Sequence, residues 1–169
     1  MHPDRLPFVG HASDEGARMR SGTLPSLQLT LPGDAMSVRF ALKSVMGFLR
    51  DLTLPEGRSG AIELVLAEVL NNITEHAYGE TMCGVIELRI FRMQNRLHFV
   101  VLDDGLPMPE DAPNPNIQLE PARAPSTLPE GGFGWMLISE LTNGLSYART
   151  GNRNVLEFDI TIDQTVQPH

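Results

Sequence analysis

The sequence predicts an α+β two-layer sandwich: a mixed, mostly antiparallel five-stranded sheet with three helices packed on one face. Three observations lead there. Two stretches repeat their apolar residues at i, i+3, i+4 and i+7, which is the spacing of one helix face. Val85–Met93 alternates, Asn95 turns the chain, and Leu97–Leu102 follows with apolar residues dominating, which reads as a hairpin. Leu145–Ala148 and Val155–Ile162 flank Thr150-Gly151-Asn152 and read as a second strand pair.

Taken in order, residues 1 to about 22 show no periodicity and are expected to form a flexible tail, with the domain spanning 23–163 and a loose end at 164–169. Leu24–Leu31 places Leu27, Leu29 and Leu31 on one side and ends at Pro32-Gly33, so it reads as a strand. Asp34 is the expected N-cap of a helix running to about Leu52, with Val38, Leu42, Val45, Met46 and Leu49 as its buried stripe. Pro55-Glu56-Gly57 breaks the chain, and Ser59 is the expected cap of the next helix. That second helix buries Ile62, Val65, Leu66, Val69, Leu70 and Ile73 and closes at Tyr78, which is expected to pack at its end. The segment from Met108 to Pro129 is rich in proline and has no period, a length that inside a domain is usually functional or disordered. Gly134–Leu141 is then a third, apolar helix stopping near Asn143-Gly144.

At 169 residues, with 41% hydrophobic and 20% charged content, the chain is sized for one domain with a proper core. A formal net charge of -8 argues against broad nucleic-acid binding and against an anionic membrane surface. The single cysteine, Cys83, has no internal partner for a disulfide, which suits a reducing compartment. The N-terminal stretch has early charge and prolines rather than the apolar core of a secretory leader, and no apolar run approaches the ~18 residues of a membrane span. The expected setting is cytoplasmic.

Glu68, Asn72 and His76 follow one another at i, i+4 and i+8 on the second helix, at the border of its buried stripe. A solvated polar row is the plain reading of such a pattern taken alone. Downstream lie Asp103-Asp104-Gly105, directly after a strand, and Gly131, Gly132 and Gly134, directly before a helix. This ordered set, with His76-Ala77-Tyr78 closing the first block, resembles the ATP-binding domain of the GHKL superfamily, shared by gyrase, histidine kinases and a heat-shock chaperone. Within that superfamily the chain looks most like the small anti-sigma-factor serine kinases of the RsbW/SpoIIAB type, over roughly residues 25–163.

The resemblance implies the same two-layer sandwich, with ATP and Mg2+ as cofactors. There is no Walker loop, so the phosphates are held another way. The resemblance implies that Asn72 holds the magnesium, an ion that takes few protein ligands and keeps waters and phosphate oxygens for the rest. It implies that Glu68 is the general base toward a serine or threonine hydroxyl. Glu75 lies on nearly the same face but outside the family motif. His76 positions a phosphate or a metal-bound water, or else bonds within the domain. Asp103 is implied to accept a hydrogen bond from the adenine amino group, which suits an ionised carboxylate, and Gly105 to leave room for the base. Gly131, Gly132 and Gly134 allow close backbone approach, and the helix N-terminus behind them favours phosphate. The proline-rich stretch corresponds to the ATP lid (108–130), and Arg123, its one cationic side chain, is the candidate for the terminal phosphate. Two departures stand out: Leu106-Pro107 where a second glycine is common, and Asn154 where related ATPases carry a threonine near the phosphates.

The function implied is an ATP-dependent protein serine/threonine kinase and anti-sigma factor. Its partners would be a sigma factor, held inactive, and a STAS-domain anti-sigma antagonist, phosphorylated on serine or threonine. Neither nucleic acid nor membrane is an expected direct partner, and small members of this type often form homodimers. The alternative is a nucleotide-dependent binding module of the same fold with little or no kinase activity; Glu68 favours the kinase. A detached catalytic domain of a histidine kinase ranks third, because the chain carries no helix pair for dimerisation with a phosphorylatable histidine.

Overall fold

A computed structural model describes residues 25–78, 84–108 and 132–162. Expectations for the two tails, for residues 109–131 with Arg123 and Gly131 among them, and for Cys83 lie outside the described residues. The element order is β1 (Leu27–Pro32), α1 (Ala35–Arg50), α2 (Arg58–Asn72, continued as a π-helical turn over Ile73–Tyr78), β2 (Val85–Arg92), β3 (Arg96–Asp103), α3 (Gly132–Leu141), β4 (Asn143–Thr150) and β5 (Arg153–Thr161). The five strands form one sheet in the order β1-β2-β3-β5-β4. Every pairing is antiparallel, so the sheet expected to be mixed and mostly antiparallel is antiparallel throughout.

Alternation decides which face the helices cover. Ile86, Leu88 and Ile90 of β2, Leu97, Phe99 and Val101 of β3, and Leu156, Phe158 and Ile160 of β5 are all buried. They meet the stripes Val38, Ala41, Val45 and Leu49 of α1 and Ile62, Val65, Leu66, Val69 and Leu70 of α2 in one cluster, which Ile138 of α3 joins. Phe99 and Phe158 are direct cross-strand partners whose rings stack at 4.9 Å. Each large apolar side chain buried this way contributes about 1.5–3 kcal/mol. The intervening residues form a polar face, where Glu87 meets Gln28, Arg89 and Arg153, and His98 meets Asp159.

The caps follow local chemistry. Asp34 caps α1 as expected: its Oδ1 accepts from the backbone N–H groups of Met36 and Ser37, and its Oδ2 from the Ser37 hydroxyl. Those bonds, the hydroxyl first, hold its carboxyl below the ordinary aspartate range. Ser59 does not cap α2, contrary to expectation. The N-cap is Gly57, at φ 75°, a left-handed conformation that glycine takes without strain, and Ser59 lies inside the helix. Past Asn72 the winding widens into the π-helical turn, a feature that nothing in Ile-Thr-Glu-His-Ala-Tyr announces.

Candidate functional site

Antiparallel register sets the first half of the site. Asp103 ends β3, opposite Ile86 of β2 and Asn154 of β5. It is an aspartate buried to 4% exposure, so its hydrogen bonds matter. Its Oδ1 accepts two: from the Gly105 backbone N–H at 2.9 Å and from Asn154 Nδ2 at 2.7 Å. No described residue donates to Oδ2. Burial pushes the carboxyl above the ordinary aspartate range, while the bonds from Asn154 and Gly105 oppose that rise.

Asn154 is itself saturated. Its Oδ1 accepts from the Tyr147 hydroxyl at 2.8 Å and from Arg149 Nη1 at 2.6 Å. Its Nδ2 donates to Asp103 and also to the Leu106 carbonyl at 2.9 Å. Two donors on the oxygen and two acceptors on the nitrogen are the full complement of a carboxamide, so the amide has one orientation. Arg149 spans further, donating to the Gly105 carbonyl at 3.0 Å.

The π-helical turn meets the end of β3. Leu106 N–H bonds the Ala77 carbonyl at 2.9 Å, and a Cβ on Gly105 would lie 2.6 Å from the Ala77 Cβ. Gly105 is therefore required by close backbone approach to the helix end, before any ligand is considered. Tyr78 packs at the helix end, as expected, with its ring against Gly33 and Gly84, where any Cβ would overlap it. Its single hydroxyl proton is shared between Asp104 Oδ1 at 2.7 Å and the Val85 carbonyl at 2.9 Å. Burial raises the phenol's pKa, and the Tyr78 hydroxyl in turn lowers that of Asp104.

The second half lies where α3 begins. A Cβ on Gly134 would stand 2.5 Å from Glu68 Oε2 and 3.8 Å from Asn72 Nδ2. The first turn of α3, which opens at Gly132, thus lies against the Glu68–Asn72 edge of α2. Asn72 Nδ2 is buried with no hydrogen-bond partner, a state that costs about 1–3 kcal/mol unless something else supplies one. Glu68 is half-buried and its carboxylate bonds no described residue.

The sequence-predicted residues therefore fall into groups. Glu68, Asn72 and Gly134 come together, and Gly105, whose N–H bonds Asp103, meets the far end of the same helical segment at Ala77. The three-residue row runs in α-helical winding only from Glu68 to Asn72; His76, in the π-turn, is exposed and bonds no described residue. Glu75 is exposed in the same turn. Asn154, the departure at the position where related ATPases carry a threonine, bonds Asp103, because β5 aligns it there. Tyr147 and Arg149 were not singled out by sequence. Counting back from the Gly151 turn pairs Thr150 with Arg153 and Arg149 with Asn154, a signal that was available.

A magnesium–nucleotide fits this donor set. Among the described residues no group of three or more His, Cys, Asp or Glu gathers to hold a metal, and a magnesium held beside Asn72 would need phosphate and water for most of its oxygens. The ligand Asn72 could give a cation is its amide Oδ1, which bonds no described residue; its buried, unpartnered Nδ2 is a hydrogen-bond donor, suited to an acceptor such as a phosphate oxygen.

Residues 31–160 match the histidine kinase-like ATPase domain, and the chain belongs to that family. Blue-light-activated histidine kinase 2 of Erythrobacter litoralis is 31% identical over 116 residues, covering 66% of this chain and 30% of that protein. The serine-protein kinase RsbW of Halalkalibacterium halodurans is 26% identical over 124 residues, covering 73% of this chain and 75% of that one. Among solved structures, the RsbU and RsbW domains of Rv1364c from Mycobacterium tuberculosis align with a TM-score of 0.55 at 13% identity, over 83% of this chain and 33% of that one. The histidine kinase domain of the Erythrobacter litoralis EL346 blue-light activated kinase aligns at 0.50 with 24% identity, over 74% and 61% of the two chains. Both structural likenesses are of fold. Among the described residues no helix is long and apolar enough to cross a membrane.

Proposed function

We propose that this chain is an ATP-dependent protein serine/threonine kinase and anti-sigma factor, which binds a sigma factor and phosphorylates a STAS-domain antagonist of that binding. The observation that carries the reading is Asn72, whose buried Nδ2 lacks an acceptor and whose Oδ1 bonds no described residue, beside Glu68 at the glycine start of α3. The RsbW relative, most of whose length this chain spans, supports the choice of substrate class.

Bound Mg–ATP would supply the transferable phosphoryl group and the charge that neutralises its oxygens. Asn72 would contribute one amide ligand to the metal. Asp103, with Oδ1 occupied, would offer Oδ2 to the exocyclic amine of adenine. Glu68, held on a rigid helix, would take the proton of the incoming hydroxyl. Backbone N–H groups at the start of α3 would face phosphate oxygens.

Labelling of a STAS-domain protein with γ-phosphate-labelled ATP tests this. Glu68→Ala and Asn72→Ala should each lower the labelling rate by about 10²-fold or more. Unchanged labelling by both variants would overturn the assignment. A second reading, phosphorylation of a histidine, draws on the 31% identity to a histidine kinase, of which the chain spans 30%. The linkage separates the two: phosphate on serine or threonine survives acid, and phosphate on histidine does not.

A further inference from the structure

We infer that Asn154, held by Arg149 and Tyr147, sets the base selectivity of the site by occupying one oxygen of Asp103 and leaving a single acceptor for the nucleobase. The inference rests on the proposed ATP site and says which base that site accepts.

The geometry of the carboxylate carries the argument. Asp103 Oδ1 has two lone pairs, and both are used: one by the Gly105 N–H at 2.9 Å, one by Asn154 Nδ2 at 2.7 Å. Only Oδ2 is left among the bonds that described residues make. Adenine presents one amine donor beside ring acceptors, and one carboxylate oxygen matches it. Guanine presents two adjacent donors, a ring N–H and an amine, and matches a carboxylate with both oxygens open. A saturated Oδ1 refuses that second donor. The Gly105 bond comes from the backbone and is common to every residue but proline, so Asn154 is the side chain on which the selectivity turns.

The amide can do this only if its NH2 faces Asp103. Arg149 and the Tyr147 hydroxyl, at 2.6 and 2.8 Å from Asn154 Oδ1, fix that orientation, because a flipped amide would set NH2 against two donors. Tyr147 also accepts the Met108 N–H at 2.9 Å, which anchors the hydroxyl from its other side. Asn154 and its supports are positioning residues: they shape what Asp103 offers without touching the base. Arg149 lies on the edge strand β4 with an exposed side, so its replacement leaves the core intact.

The test is competitive binding of ATP and GTP, each with Mg2+, to the full chain. In the wild type ATP should be preferred. In Asn154→Leu, which keeps the size and removes the donor, the ATP:GTP affinity ratio should fall by about tenfold, mostly through tighter GTP binding. Asn154→Thr restores one donor and should recover much of the preference. Arg149→Met, which loosens the amide while sparing the core, should lower the ratio about threefold, and it decides the matter if Asn154→Leu does not fold. A wild-type ratio in Asn154→Leu, or in Arg149→Met should that variant alone fold, overturns the inference while leaving the ATP site standing. A wild-type protein that binds neither nucleotide overturns the site and the inference together.

Discussion

Asp103 separates stability from binding at the scale of one residue. Its burial raises the carboxyl's pKa, so ionising it in the fold is unfavourable relative to the unfolded chain. Stability from this group is fully present below the unfolded aspartate value and is lost as pH rises through the higher folded one. Asp103→Asn keeps an Oδ1 for Gly105 and Asn154 but turns the other position from acceptor to donor. The variant should therefore melt no lower than wild type at neutral pH, with its advantage shrinking as pH falls below the carboxylate range. Its affinity for ATP should nevertheless drop at least about tenfold, because an amide NH2 would face the adenine amine. Thermal melts across pH, paired with nucleotide titration, check both halves; a variant that melts lower yet binds normally would contradict them.

The junction of α2 with α3 governs at the scale of elements. Gly134 sits in the first turn of a helix with an ordinary backbone conformation, so alanine there gains up to about 1 kcal/mol of helix propensity. Its new Cβ would press on Glu68 Oε2, the far end of a flexible side chain that can swing aside. Gly134→Ala should thus leave melting unchanged or raised while moving Glu68 and cutting phosphoryl transfer about tenfold or more. Loss of stability with normal transfer would show that the glycine serves packing alone. Much of this level was legible in the sequence. The stripes Val38–Leu49 and Ile62–Leu70 announce their helices by period, and Ile86, Leu88 and Ile90 announce β2 by alternation, because burial on one face leaves that pattern. The π-helical turn was not legible, since its winding answers to contacts of Ala77 with Gly105 and of Tyr78 with Gly33 and Gly84, residues distant in sequence. The Gly57 cap was missed because Ser59 is the better side-chain cap, whereas a left-handed entry needs a glycine. The place of Asn154 depends on strand register, which composition does not encode but the Gly151 hairpin does.

At the scale of the molecule, three separate stretches of chain converge because the sheet order sets β3 between β2 and β5 while α2 runs across to meet α3. The blocks around Glu68, Asp103 and Gly134 were visible as an ordered set, and the fold brings them to the two ends of one helical segment. The proposed function requires a magnesium–nucleotide on that ground, with the metal on Asn72. Calorimetric titration of ATP into the wild-type chain, with Mg2+ and again with EDTA, and into Asn72→Ala under both conditions, tests it directly. Wild-type binding should be saturable and weaken at least about tenfold in EDTA, and the Asn72→Ala protein should be as weak with the metal as without it. An Asn72→Ala protein that keeps the full magnesium-dependent affinity, or a folded wild type that binds no ATP, would contradict it.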